Sequence, residues 1–144
     1  VTAIDPSLAD TEEMTKAFGM ELSLSSNCIL VAGKRSGEER IAACVVRATT
    51  NADVNHVVKK RIDVRKASFL PVERAVEMSG MEYGGITPVG LPEDWRLFID
   101  GAVADRDTVL IGSGVRHSKL LVPGELLMAL PGAERVENLG VRPA

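Results

Sequence analysis

The stretch Gly80-Met-Glu-Tyr-Gly-Gly-Ile-Thr-Pro-Val-Gly-Leu-Pro92 carries the densest chemical signal in the sequence. Its paired glycines let the main chain come close to a ligand and leave N–H and C=O groups free to point at it, while Pro88 stiffens the far side. The same composition equally suits a buried tight turn. A second glycine-rich loop, Gly112-Ser113-Gly114, precedes Lys119. Phosphate-loop spacing needs a glycine directly before the lysine and a Ser or Thr after it, and Ser118 and Leu120 stand there instead. A tight turn between strands is the better reading, with a backbone contact to substrate left open.

Lys59, Lys60, Arg61, Arg65 and Lys66 put five positive charges in eight residues, against Asp63 alone. The first reading is a solvated face favoured by a helix dipole; the functional one is a cradle for a phosphate backbone. The whole chain has 20 acidic and 17 basic residues, a net charge of −3, so any nucleic-acid contact must be local. With 1 Trp, 1 Tyr and 3 Phe, an extended base-stacking platform is excluded. Ser, His and acidic residues occur without a Gly-x-Ser-x-Gly elbow, and no triad is proposed. Cys28 and Cys44 form no Cys-x-x-Cys pair, and His56 and His117 alone cannot complete a zinc site, so neither a metal nor a cofactor is expected.

The elements that hold these residues follow from pattern. Asp10 and Glu13 suggest a capped helix over 10–18, closed by Gly19. Asn27 to Ala32 and Arg40 to Ala48 read as an antiparallel hairpin with both faces largely apolar, which requires cover on both sides. Symmetry about Ser36 would set Cys28 opposite Cys44, as packed thiols rather than a disulfide in a reducing compartment. It would also put Asn27, Val45 and Arg47 on one face. Asp53 caps a helix over Val54 to Arg61. Lys66 to Leu70 is a strand, Pro71 opens a helix that Gly80 ends, and Met81 to Pro92 is a structured loop with room for a few extended residues. Leu97 to Ile99, Thr108 to Gly112 and Lys119 to Val122 are strands, Pro123 opens a helix to about Leu130, and Glu134 to Glu137 returns to the sheet.

The 144 residues, 45% of them hydrophobic, suffice for one domain burying about two-thirds of its unfolded surface. No apolar run approaches the roughly 18 residues of a membrane span, and no signal segment opens the chain, so a cytoplasmic location is expected. Val1 leaves room for a short leading segment. The early hairpin and short connecting helices favour a mixed α+β fold over a parallel α/β sheet.

At the glycine loop the sequence resembles the YbaK/ProX family of aminoacyl-tRNA editing domains, related to the insertion domain of bacterial prolyl-tRNA synthetases. The matching marks are Gly84-x-x-x-Pro88, the strand Asn27-Cys-Ile-Leu-Val-Ala-Gly, the start Ala52-Asp-Val-Asn55, and Ile111-Gly-Ser-Gly114 followed by Ser118-Lys-Leu120, in the family's order over nearly the whole chain.

The resemblance implies a single editing domain over 1–144, α+β, with a mainly antiparallel, barrel-like mixed sheet and short surrounding helices. It implies trans hydrolysis of the ester of a mischarged aminoacyl-tRNA, with small amino acids on proline tRNA the first substrates to consider. An aminoacyl-tRNA synthetase is a second candidate partner, and no membrane contact is expected. By the same resemblance Asn27, Gly84 and Gly85 fall at the catalytic position. Arg47, Ile86, Thr87, Pro88, Gly112, Ser113 and Gly114 are candidates for substrate binding, and Lys59, Lys60, Arg61, Arg65 and Lys66 for the tRNA backbone. The family strand usually carries a lysine where this chain has Asn27, an amide that can donate a hydrogen bond but supplies no charge. Arg47 is the candidate to replace that charge; the competing account sends it to water or an acidic partner at the strand end. The alternative function is a non-catalytic binder of tRNA 3′ ends or aminoacyl-adenosine-like ligands.

Overall fold

The computed structural model describes residues 2–3, 25–81, 86–92, 94–113 and 118–141. After β1 (Thr2–Ala3), the architecture is organised by a long antiparallel ribbon, β2 (Ser26–Arg35) and β3 (Glu38–Arg47). The strands run further toward each other than the apolar residues alone predict and leave a two-residue turn, Ser36–Gly37. Both turn residues have positive φ, 53° and 80°, the backbone of a hairpin turn whose twist matches that of the strands.

A two-residue turn has its symmetry axis between its residues, not through one of them. The pairing is therefore Ser26↔Arg47, Asn27↔Val46, Cys28↔Val45 and Ile29↔Cys44. This corrects the register centred on Ser36 by one residue, and a one-residue slip exchanges faces. Cys28 and Cys44 lie on opposite faces as free thiols.

The expected cover on both faces is present, because Ile41 to Val46 are all buried. One face of the ribbon packs Leu30, Ala43 and Val45 with Ile99, Val103 and Leu127. The other packs Val31, Ala42, Cys44 and Val46 with Val58 and Phe98. Phe98 and Ile99 are neighbours on one strand and wholly buried on opposite sides, each contributing roughly 1.5–3 kcal/mol of hydrophobic stabilisation.

Following β3 come β4 (Asn51–Ala52), a π-helical turn (Val54–Val58) and α1 (Lys59–Arg61), with the His56 N–H donating to Asp53 Oδ1 at 3.2 Å as the capping pattern predicts. Next are β5 (Ala67–Phe69) and α2 (Val72–Ser79), which follows Pro71 and stops at Gly80 in the left-handed conformation. The chain continues through β6 (Arg96–Asp100), α3 (Gly101–Ala104), β7 (Val109–Gly112), β8 (Ser118–Val122), α4 (Gly124–Met128), β9 (Ala133–Val136) and β10 (Gly140–Val141). The helix expected over 10–18 lies outside the described residues.

The main sheet has the order β5-β2-β3-β6-β9, beside β1-β8-β7 and the small pair β10-β4. Five pairings are antiparallel; β3–β6 and β6–β9 are parallel. The fold is thus α+β with a mainly antiparallel mixed sheet. Among the described residues the sheets do not close, so the barrel-like expectation holds only loosely. A parallel bridge, Ser25↔Leu110, links the β7–β8 ribbon to the start of β2. Among the described residues no helix is long and apolar enough to cross a membrane.

Candidate functional site

The bridge at Ser25 runs the start of β2 alongside β7, bringing the Asn27 region beside the end of β7 at Gly112 and Ser113. Two of the segments singled out by sequence are thereby brought together. In the third, Ile86 packs against the same core cluster as Cys28, the cluster that includes Val45 and Ile111, and Thr87 and Pro88 are buried. Gly84, Gly85 and Gly114 lie outside the described residues.

Arg47 sits opposite Ser26 and shares its face with Cys28 and Val45, whereas Asn27 belongs to the face of Ile29 and Val46. The expectation that Asn27, Val45 and Arg47 share a face is overturned by the two-residue turn, and with it the diagonal placement from which Arg47 was expected to stand in for the family lysine.

The buried polar atoms mark this end of the ribbon more sharply than the sequence did. Among the described residues, Ser25 Oγ, Ser26 Oγ and Arg47 Nε at this end, and Thr87 Oγ1 in the glycine-loop segment, are enclosed with no hydrogen-bond partner, and Thr87 is only 3% exposed. An unmade hydrogen bond on a buried group costs about 1–3 kcal/mol, so four of them call for an explanation such as a bound polar group. Ser26 and Arg47 face each other directly across the strand pair.

The thiols offer no nucleophile here. Burial pushes Cys28 up to about 12, and burial followed by the neighbouring Cys28 raises Cys44 further, so both stay protonated at neutral pH. Among the described residues no group of three or more His, Cys, Asp or Glu side chains is assembled. His56 is exposed and hydrogen-bonds Asp53 at 3.1 Å.

The basic run divides. Lys59, Arg65 and Lys66 line a groove of about 890 Å³ at the opposite end of β2. Lys60 and Arg61 do not line it; the Arg61 carbonyl accepts from Arg96 Nη1 at 3.3 Å, and the Arg61 charge helps hold the Glu134 carboxyl below its usual range behind the larger effect of Arg96. Folding instead brings in Lys34 from β2 and Phe69 and Arg74 from beyond Lys66, residues the sequence did not single out. The available signal was the β2–β5 pairing, which sets Gly33 opposite Ala67.

The sequence profile of the aminoacyl-tRNA editing domain matches residues 5–130. The uncharacterized protein YwhH of Bacillus subtilis is 28% identical over 127 residues, 88% of this chain and 78% of YwhH. The proline–tRNA ligase of Listeria welshimeri is 29% identical over 77 residues, 53% of this chain and 13% of the ligase. Among solved structures, hypothetical protein APE2540 has a TM-score of 0.85 at 19% identity, over 97% of this chain and 89% of that one. A candidate trans-editing enzyme for prolyl tRNA synthetase has a TM-score of 0.79 at 18% identity, over 94% and 83%. At these identities the structural matches establish a shared fold.

Proposed function

Because the chain belongs to the aminoacyl-tRNA editing domain family, we propose that it hydrolyses the ester of a mischarged aminoacyl-tRNA in trans, with small amino acids on proline tRNA as the first substrates. The observation that carries this reading is the meeting of the β2 start with the β7 end, next to enclosed polar atoms without partners. An aminoacyl ester is already activated. Its hydrolysis needs a positioned water, a donor for the developing oxyanion and a route for protons, but no side-chain nucleophile.

In this reading the main chain of Gly84 and Gly85 supplies polar contacts at the reacting ester, and the Asn27 amide reaches it around the start of β2 from the face opposite Ser26 and Arg47. Ser26, Arg47 and Thr87 hold polar atoms of the substrate, Ile86 and Pro88 wall it, and Gly112, Ser113 and Gly114 approach it through the backbone. Lys59, Arg65 and Lys66 receive the tRNA backbone. A second reading, a non-catalytic binder of tRNA ends, is favoured by one observation: Asn27 stands where the family lysine is usual and brings no charge.

A screen of purified protein against mischarged tRNAs, beginning with alanyl proline tRNA, separates the two. Hydrolysis predicts a shortened ester half-life for at least one pair, with turnover reduced about 10²-fold by Asn27→Ala and retained or raised by Asn27→Lys. Binding with the half-life unchanged across the whole panel establishes the binder instead.

A further inference from the structure

The groove beside β5 is bounded by Lys34, Lys59, Arg65, Lys66 and Arg74, with Phe69 on its wall. Glu39 is the one acid that lines it, and Glu39 pairs with Arg74 at 2.8 Å. Among the described residues the other four cations make no salt bridge; Lys34 lies opposite Glu39 across the strand pair, so the net positive charge of the groove comes from Lys59, Arg65 and Lys66 beside it. Phe69 is 51% exposed although it lies on a strand paired to the core residue Val31. A half-exposed ring among cations suits a ligand that alternates planar apolar groups with negative charge, as a polynucleotide strand does.

Position narrows the choice. Gly33 follows Asn27 by six residues on the same strand, about 20 Å at the rise of an extended chain. A stacked nucleic-acid strand advances about 3.4 Å per nucleotide, so roughly six nucleotides span that distance. We infer that this groove holds the acceptor arm of tRNA where the unpaired 3′ end passes into the first base pairs, with Lys34 on a phosphate and Phe69 against one base. The identity of the RNA rests on the editing reading; an acidic peptide is the competing occupant.

The test compares wild type, Lys34→Gln, Phe69→Ala and Phe69→Trp, each verified as folded by its thermal transition, on three probes: uncharged proline tRNA, alanyl-adenosine and a polyglutamate peptide. Lys34→Gln is expected to weaken tRNA binding and to lower the slope of log K against log salt by about 0.9, the share of one phosphate contact. Phe69→Ala should weaken binding about tenfold without changing the slope, and Phe69→Trp should restore it. Turnover of alanyl-adenosine, too short to reach the groove, should be the same in all four proteins. Wild-type tRNA affinity and slope in both Lys34→Gln and Phe69→Ala overturn the inference, as does polyglutamate binding in place of tRNA. If no ester is hydrolysed by wild type, the catalytic reading fails while tRNA binding still decides the groove.

Discussion

The two ends of the β2–β3 ribbon treat polar groups in opposite ways. At the Ser26–Arg47 end, hydroxyl and guanidinium atoms are enclosed without partners among the described residues. Near the turn, charges are satisfied at the surface: Arg35 reaches Asp63 at 2.6 Å, Arg74 reaches Glu39 at 2.8 Å, and Arg40 donates to the Ile62 carbonyl at 2.8 Å. On the proposed reading, the first arrangement sacrifices stability where a ligand's polar atoms can restore it. The second keeps a stable wall beside Lys59, Arg65 and Lys66, which make no salt bridge among the described residues and whose attraction acts at longer range and weakens with salt. On the proposed reading, one strand pair thus joins a short-range recognition end to a long-range one.

The largest effect that would break this comparison comes from Gly33, at the junction of the ribbon and β5. A Cβ there would sit 2.5 Å from Val64 Cγ2 and 2.7 Å from the Lys66 carbonyl oxygen. Gly33→Val should lower stability by about 1–3 kcal/mol, read as a lower urea midpoint. An unchanged midpoint would mean that the groove wall yields and does not form a fixed frame with the other end.

Thr87→Val tests the enclosed polar atoms. Replacing a buried hydroxyl that has no partner with a methyl of similar shape should raise stability by about 1 kcal/mol while slowing ester hydrolysis. A stability loss of that size would show that the hydroxyl is already satisfied, removing the contrast.

A smaller effect belongs to the bidentate Arg96–Glu134 pair, with both contacts at 2.8 Å. Hydrogen bonding by Arg96 depresses the Glu134 carboxyl below its usual value of 4.5 in the folded state. Its contribution is therefore fully present above that value and is lost as pH falls through the lower folded value. Glu134→Gln should cost less than about 1 kcal/mol at pH 7, since the pair is partly exposed. The gap from wild type in urea titrations should close in acid; a gap independent of pH would assign the loss to packing.

Much of the element plan was legible because single residues announce it: Asp53 as a cap, Pro71 as an opener, Gly80 as a stop, and the apolar run Ile41 to Val46 as a strand covered twice. The register was missed by one residue because it depends on Ser36 adopting a positive φ, although the Ser-Gly pair is itself a turn signal. The four-residue α3 escaped for want of length; its one clue was Asp100, whose carboxylate accepts from the Ala102 N–H at 3.2 Å. At the candidate site, the segments around Asn27 and Gly112 were recognised separately, but only the Ser25↔Leu110 bridge shows them as neighbours. Lys34, Phe69 and Arg74 were invisible as a group because strand pairing, not sequence proximity, assembles them.

The parallel pairing of β6 on β3 governs the order in which the molecule can form. The β2–β3 hairpin closes over two residues and can zip within about 1–10 μs, whereas β6 must return across roughly fifty residues of intervening chain. That separation adds little to the equilibrium cost but much to the waiting time. On a ribosome adding about 5–20 residues per second, the β3 edge stays without its partner for roughly 3–10 seconds. The nascent chain therefore passes through an interval in which the buried run Ile41 to Val46 is open to the wrong neighbour.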